Sequence, residues 1–226
     1  RSSAASDVYK RQPISAGRHI YKREPSFPIA VACDPAFNFV YEANIRYLHH
    51  LGEVTYFSPL ADTSLPDAGF VYLPGGYPEL YLAALSANRQ MLQSIRRYVE
   101  SGGKLLAECG GMMYLCDEIR DKNGYVYPMA GVLHQSATME NMKLRLGYRT
   151  LLYNETRLKG HEFHYSRLVE QQNPLPSCAV AYTAKGVETD TPLYHYKNVW
   201  AGYTHLYWAD PVGNEWFTKF VIDGNT

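Results

Sequence analysis

Apolar and polar stretches alternate along residues 28–115 in a way that predicts strands and helices in turn. Short apolar runs bounded by proline, glycine or charged residues are typical of buried strands. Four such runs are Pro28–Cys33, Val54–Phe57, Gly69–Leu73 and Leu105–Ala107. Residues 40–51 and 80–100 carry apolar side chains at helical spacing, the second with a break near Ser86–Asn88. This alternation indicates an α/β fold with a mostly parallel sheet flanked by helices, in which ligands bind beyond the carboxyl ends of the strands.

The pattern changes after Asp121, where aromatic and β-branched residues dominate and favour β structure. The predicted strands are Tyr125–Tyr127, Gly131–His134, Leu144–Tyr153, Glu162–Leu168 and Ala179–Tyr182, followed by a hairpin over Leu193–Thr204 and a helix over Asn214–Ile222. The C-terminal half is therefore expected to add β-strands to the α/β fold.

The first 27 residues are expected to lie outside the folded domain. Asp7–Gln12 corresponds to the codons GAT GTG TAT AAG AGA CAG, which resemble a transposon end used to prepare sequencing libraries. Residues 1–12 are therefore interpreted as a translated artefact. Residues 13–27 are charged and interrupted by proline, which is typical of a linker, here to a missing N-terminal domain. Residues 28–226 then form the folded domain.

The charge balance and the cysteines narrow the function classes. Lys and Arg together number 22, as do Asp and Glu, so the composition gives no indication of binding to nucleic acid or to an anionic membrane. The four cysteines, Cys33, Cys109, Cys116 and Cys178, form no C-x-x-C pair and are expected to be free thiols. A reducing, cytoplasmic location is the corresponding expectation.

The stretch Lys104–Leu115 is the strongest candidate for chemistry. An apolar strand meets Glu108, Cys109 and two glycines before a helix starts, so the cysteine lies at the apex of a sharp strand–turn–helix, as in a nucleophile elbow. We expect the dipole of that helix to lower the pKa of the thiol, and Gly110 and Gly111 to leave N–H groups free for an oxyanion. The alternative is a small buried cysteine at a tight turn.

A cysteine nucleophile needs a base and an oxyanion hole. His205 is the best base candidate among eight histidines because it follows a glycine at a strand end late in the chain, although a hydrogen-bonded structural histidine fits the same position. Gly75, Gly76 and the Gly110 amide after Cys109 are the available oxyanion donors, and a simple turn is the alternative for the glycine pair.

A metal site is not expected from the histidine-rich segment at residues 160–166. His161 and His164 are three residues apart and so face opposite sides of a strand, with Glu162 between them. No closed set of ligands is apparent.

Several motifs in this order resemble one family: I-A-V-A-C-D-P-A-F (29–37), S-P-L-A-D (58–62), L-P-G-G-Y-P-E-L (73–80), A-E-C-G-G-M-M-Y-L (107–115), G-H-E-F-H-Y-S (160–166) and A-G-Y-T-H-L (201–206). The chain resembles the glutaminase domains of cobyrinic acid a,c-diamide synthases, class I-type glutamine amidotransferases with a flavodoxin-like fold. The resemblance implies that Cys109 attacks the side-chain amide of L-glutamine and that His205 raises its nucleophilicity. It also implies that Gly75 and Gly76 lie by the oxyanion, and we add Gly110, Glu162 and His164 to the oxyanion- and substrate-binding set.

The resemblance further implies a partner. Ammonia would pass to an ATP-dependent synthetase domain, which would hold ATP and Mg²⁺ and activate two carboxylates of a cobalt corrinoid. That N-terminal domain is absent from this sequence, so no cofactor is expected in this chain. The commoner pattern has glutamate two residues after the histidine, where this chain has Tyr207, so another group must orient the imidazole. We expect the isolated chain to be slow, with Pro74–Pro78 as the mobile element.

Three other functions remain open from the sequence. The same domain could serve a sibling tetrapyrrole amidase that acts on cobyric acid or nickel sirohydrochlorin. A cysteine hydrolase or peptidase could use the same scaffold. A non-catalytic interaction domain is the third alternative.

Overall fold

The computed structural model describes residues 27–223. The predicted artefact at residues 1–12 and the predicted linker up to residue 26 therefore lie outside the described residues. No helix within residues 27–223 is both long and apolar enough to cross a membrane.

A six-stranded sheet forms the centre of the fold. Its strands are β1 (Phe27–Ala32), β2 (Gly52–Phe57), β3 (Phe70–Leu73), β4 (Lys104–Glu108), β13 (Leu193–Tyr196) and β14 (Val199–Gly202), in the order β13-β14-β4-β3-β1-β2. All neighbours are parallel except the β13–β14 hairpin. The order β2-β1-β3-β4-β14 is that of flavodoxin-like sheets, as the sequence predicts.

Within residues 27–223, five α-helices accompany this sheet: α1 (Glu42–Leu51), α2 (Leu82–Ala87), α3 (Arg89–Glu100), α4 (Gly110–Leu115) and α5 (Pro211–Thr218). A 3₁₀ turn over Pro78–Leu80 precedes α2, and a π-helical turn over Lys219–Asp223 follows α5. The predicted break near residue 88 separates α2 from α3, because the side chain of Asn88 accepts a hydrogen bond from Met91 N–H at 3.3 Å and caps α3.

Two further sheets are built from the C-terminal half. One has four short strands in the order β10-β7-β5-β6: β5 (Glu118–Arg120), β6 (Val126–Pro128), β7 (Ser136–Thr138) and β10 (Arg167–Leu168). The other has five strands in the order β12-β11-β8-β9-β15: β8 (Arg145–Tyr153), β9 (Thr156–His164), β11 (Val180–Thr183), β12 (Glu188–Thr189) and β15 (His205–Leu206).

The central sheet separates two apolar cores. Successive side chains of a strand point to opposite faces, so Val71 and Leu73 of β3 pack on one side while Phe70 and Tyr72 pack on the other. The first core contains α2, α3 and α4, and the second contains α5 and the buried face of the five-stranded sheet. Both faces of the central strands are buried, which explains their continuous apolar runs.

Two predicted strands differ from the structure. Residues 131–134 form a turn because Gly131 and His134 both adopt positive φ, and Gly131 N–H caps α4 through the Cys116 carbonyl at 2.8 Å. The predicted strand over residues 162–168 is divided: β9 starts earlier, at Thr156, and ends at His164. His164 Nδ1–H then donates to the Ser166 carbonyl at 2.8 Å and closes a turn before β10.

The carboxyl ends of three neighbouring strands bring the candidate site together. The segment after β3 begins at Pro74, Cys109 follows β4, and Tyr203–His205 follow β14. Parallel strands in register end at the same edge, so these three segments meet there.

Candidate active site

Cys109 lies at a strained elbow between β4 and α4. Its φ is 49° and its ψ is −105°, a conformation that non-glycine residues seldom adopt. Its N–H donates to the Gly202 carbonyl of β14 at 2.7 Å, which fixes the turn against the neighbouring strand. The next two residues have no room for side chains: a Cβ at Gly110 would lie 2.7 Å from Pro78 Cδ, and one at Gly111 would lie 2.1 Å from the Leu73 carbonyl oxygen. The elbow is thus packed directly against the segment that follows β3.

The thiol of Cys109 is enclosed. The residue is 4% exposed, and its Sγ is 4.0 Å from the carbonyl oxygen of Phe163 on β9. The cavity beside it measures about 10 Å³ and is lined in part by Tyr77, Glu79 and His164. A volume of this size holds about one water molecule, so a glutamine side chain does not fit without movement of the walls.

Burial controls the ionisation of this thiol. It raises the pKa of Cys109 to about 12, and the charge of Glu79 adds to the rise. The Gly110 amide acts in the opposite direction, as the elbow predicts, but burial outweighs it. The expectation of a lowered pKa is therefore wrong for this closed conformation, in which the thiol keeps its proton.

His205 lies on β15, next to the elbow edge, and is held by ring contacts. Its imidazole stacks on that of His161 at a centroid distance of 5.1 Å, and Phe39 meets it edge-on at 4.5 Å. A Cβ at Gly75 would lie 2.1 Å from its Cε1 atom. The imidazole is therefore packed between two aromatic rings and the backbone of Gly75.

The electrostatic environment keeps His205 neutral. Burial, together with smaller effects of the nearby His161 and His164, lowers its pKa to about 3. Its Nδ1 atom is buried and has no hydrogen-bond partner among the residues that the structure describes. Tyr207, two residues after His205, packs edge-on against Tyr41 at a ring-centroid distance of 5.5 Å. No hydrogen bond joins the imidazole to the Cys109 thiol within the described part of the chain.

The Gly75–Gly76 peptide is fixed by backbone hydrogen bonds. Phe39 N–H donates to the Gly75 carbonyl at 3.0 Å, and Tyr77 N–H donates to the Ala36 carbonyl at 3.0 Å. In a trans peptide the N–H points opposite to the carbonyl, so the Gly76 N–H points away from Phe39. The Gly76 nitrogen is 3.2 Å from the position of a Cβ on Gly110. A flip of this peptide would break the bond from Phe39.

The loop that carries Phe39 is organised by Asp34. Its Oδ1 atom accepts hydrogen bonds from Ala36 N–H at 2.8 Å and Phe37 N–H at 3.1 Å. Its Oδ2 atom accepts from Ser58 Oγ–H at 2.9 Å and Leu60 N–H at 3.0 Å. The D-P-A-F and S-P-L-A-D motifs therefore meet at the carboxylate of Asp34. This carboxylate holds the loop whose Phe39 N–H binds the Gly75 carbonyl.

Glu162 and His164 share a pocket next to the thiol cavity, but of the two only His164 also lines the thiol cavity itself. Glu162 is buried and paired with Arg149 at 2.8 Å, and it lines a neighbouring pocket of about 300 Å³ rather than the thiol cavity. His164 lines both, and its ring stacks on Tyr203 at 3.8 Å. Its buried Nε2 atom has no hydrogen-bond partner within residues 27–223. Residues 27–223 contain no group of three or more side chains that could hold a metal ion.

Comparison with known proteins identifies the family. The model of the CobB/CobQ-like glutamine amidotransferase domain matches residues 28–212. The chain belongs to this family. The amidotransferase domain is 40% identical over 185 residues to hydrogenobyrinate a,c-diamide synthase of Pseudomonas aeruginosa, covering 79% of this chain and 41% of that protein. Against cobyrinate a,c-diamide synthase of Clostridium acetobutylicum it is 38% identical over 210 residues, covering 88% and 46%.

Solved structures agree on the fold of this amidotransferase domain. It matches the PurLQS structure from Thermotoga maritima with a TM-score of 0.55 at 16% identity, covering 88% of this chain and 96% of that one. A glutamine amidotransferase from the same organism gives 0.52 at 12% identity, covering 88% and 83%. The predicted family and the α/β, flavodoxin-like fold are thus confirmed. The amidotransferase domain spans less than half the length of the two curated relatives.

Sequence reasoning missed several residues around the amidotransferase site. His161 and Phe39 contact the base candidate, and Glu79 faces the thiol. Glu79 and His161 are members of motifs already recognised, so their position beside glycines and the second histidine is the signal that could have found them. Phe39 gives no such signal, because its contact depends on the loop held by Asp34.

Proposed function

We propose that this chain is the glutaminase domain of a cobyrinate a,c-diamide synthase of cobalamin biosynthesis. It would release ammonia from L-glutamine for the ATP-dependent amidation of the a and c carboxylates of cobyrinic acid. The observation that carries the proposal is the meeting of a cysteine elbow, a histidine and a glycine pair at one sheet edge. The acceptor is supported by relatives at 40% identity, which are a hydrogenobyrinate and a cobyrinate a,c-diamide synthase.

Cys109 is the nucleophile in this proposal. Its thiol gives its proton to His205 as sulfur bonds to the amide carbon of glutamine. The imidazolium then protonates the leaving nitrogen, the C–N bond breaks, and ammonia departs from a thioester. Water, deprotonated by the same imidazole, cleaves the thioester and yields glutamate and the free thiol.

The oxyanion of each tetrahedral intermediate is held by backbone amides. The Gly76 and Gly110 amides are the donors in this assignment, since the two residues lie side by side. Loss of one such donor typically costs about 2.7–4 kcal/mol of transition-state stabilisation. Both pKa shifts at the site arise mainly from burial, so opening the cavity to substrate would bring the pKa values of thiol and imidazole closer together.

The partner in this proposal is a synthetase domain that holds ATP and Mg²⁺ and binds the corrinoid. Its presence in the whole protein is supported by the relatives, of which this chain covers 41% and 46%. We propose a cytoplasmic location for the assembly, in keeping with free cysteines.

The deciding experiment measures free glutamate and ammonia after incubation with L-glutamine. We expect release from the wild-type chain and none from Cys109→Ser. Cleavage of a peptide library, measured as new α-amino groups, without release of ammonia from glutamine would instead indicate a peptidase. With a synthetase domain and ATP present, amidation of cobyrinic acid, cobyric acid and nickel sirohydrochlorin is compared; amidation of either of the latter two alone would overturn the proposed acceptor.

A further inference from the structure

Glu108 is a buried carboxyl group directly before the nucleophile, and the mechanism above does not use it. It ends β4 and is 1% exposed. None of the salt bridges found within residues 27–223 includes it, whereas the buried Glu162 has Arg149. Burial raises the pKa of Glu108 to about 8, against the opposing effect of its hydrogen bonds. Burial of a carboxyl group in an apolar core without a cation lowers the free energy of unfolding unless hydrogen bonds compensate. The hydrogen bonds of Glu108 are therefore expected to offset this cost.

Those contacts join the three segments of the site. Tyr72 O–H, near the end of β3, donates to Oε2 at 2.6 Å. Leu206 N–H, on β15, donates to Oε1 at 3.0 Å. One carboxyl group thus connects the strand that leads to Gly75, the strand that leads to Cys109 and the residue that follows His205.

The backbone beyond His205 has a second support on its other side. The side-chain amide of Asn44 donates to the Leu206 carbonyl at 2.8 Å and accepts from Trp208 N–H at 3.0 Å. Asn44 is itself fully buried on α1. Of these two supports, Glu108 is the one that belongs to the elbow strand, so it links the backbone after the base directly to the residue before the nucleophile.

We propose that Glu108 is the positioning residue of the base: through Leu206 it holds His205 at a fixed place relative to Cys109. This inference rests on the proposed glutaminase function. Glu108 does not contact the imidazole and takes no proton from it. A displacement of about 1 Å in a catalytic group can reduce turnover about 10²-fold.

The test compares Glu108→Ala, Glu108→Gln and Tyr72→Phe by steady-state glutamine hydrolysis. Glu108→Ala removes both acceptors, and kcat should fall about 10²-fold with KM changed less than about 3-fold, because the loss concerns geometry in the transition state. Glu108→Gln keeps an oxygen for Leu206 N–H and an amide donor for the Tyr72 oxygen, so it should recover most of kcat. Tyr72→Phe should show a smaller fall in kcat.

Tyr98→Phe is the matched control. Its hydroxyl donates to the Lys104 carbonyl at 2.9 Å, at the opposite end of the same strand β4. Its loss should lower the thermal midpoint and leave kcat unchanged. All rates are taken well below the lowest midpoint, so differences in stability do not enter.

Three results would overturn the inference while the wild-type chain hydrolyses glutamine. They are an unchanged kcat in folded Glu108→Ala, a Glu108→Gln variant as slow as Glu108→Ala, and equal loss of kcat in Tyr98→Phe and Tyr72→Phe. If Glu108→Ala does not fold, the comparison of the two tyrosine variants decides. Failure of the wild-type chain to hydrolyse glutamine would instead contradict the proposed function.

Discussion

Gly75 lies directly against the imidazole of His205: a Cβ at position 75 would be 2.1 Å from Cε1 and 2.9 Å from Nδ1. The glycine pair therefore serves the base as well as the oxyanion segment. At position 75 the absence of a side chain lets the imidazole of His205 approach the backbone closely, since Gly75 does not have a positive φ. Gly76, by contrast, has a φ of 158°.

Gly75→Ala should reduce kcat about 10²-fold, because the added methyl group must displace the imidazole. The backbone at position 75 accepts alanine, so the chain should still fold. Gly69→Ala is the control, since its Cβ would be 2.6 Å from the ring of Phe27, at the opposite end of β3. Both variants should lower the thermal midpoint, but only Gly75→Ala should slow glutamine hydrolysis. Equal rates in the two variants would contradict the assignment of His205.

Cys109→Ser should abolish glutamine hydrolysis, and the same change at Cys33, Cys116 and Cys178 should be tolerated. Only Cys109 occupies the elbow. Cys116 is the informative control because it is also buried and lies at the C-terminal end of α4. Its thiol donates to the Met112 carbonyl at 3.6 Å. Serine can make the same bond. The rate of glutamate release checks each variant; equal loss at Cys116 would indicate a structural effect.

The central sheet and the elbow were predictable because their signals are local. We can recognise an apolar run, such as the one before Cys109, or a glycine pair after a strand from the local sequence alone. The four-stranded sheet was missed in part, since strands of two or three residues have no periodicity to detect. The pKa of Cys109 was not predictable, because its burial comes from Phe163 and Tyr77 on remote segments. The same holds for Glu108, whose partners are 36 and 98 residues away.

His205 should make the fold less stable in acid. Its pKa is 6.5 when exposed and about 3 in the folded chain, so between these pH values the unfolded chain binds a proton that the folded chain does not. Stability therefore falls as pH falls from about 6.5 towards 3. His205→Gln should lose less stability than the wild type between pH 7 and pH 4, as measured by denaturant unfolding at each pH.

A measurement at pH 8 separates packing from protonation in that comparison. There His205 is neutral in both states, so the difference between variant and wild type reports packing alone. If the two stability curves run parallel from pH 7 to pH 4, the histidine is not buried in its neutral form.

The isolated chain should be a slow glutaminase, because the cavity beside Cys109, at about 10 Å³, is too small for glutamine. The sequence predicts Pro74–Pro78 as the mobile element, and a flip of the Gly75–Gly76 peptide there would break the bond from Phe39 N–H to the Gly75 carbonyl. Displacement of the aromatic rim is the better-supported route. Tyr77, Phe163 and Tyr165 form that rim and remain 36–42% exposed, where a partner domain can contact them.

A matching synthetase domain should therefore raise kcat more than it lowers KM. We expect glutamine to bind first in the neighbouring pocket of about 300 Å³, so that closure of the thiol cavity limits how often its side-chain amide reaches the attacking geometry. An effect of this kind appears in kcat, whereas uniform binding appears in KM. Glutamate release at saturating glutamine, with and without that domain, measures the ratio. The same mixture with Cys109→Ser subtracts any hydrolysis by the added domain. Full activity of the isolated chain would show that the cavity opens unaided, and the rim would then have no part in coupling glutamine hydrolysis to the acceptor.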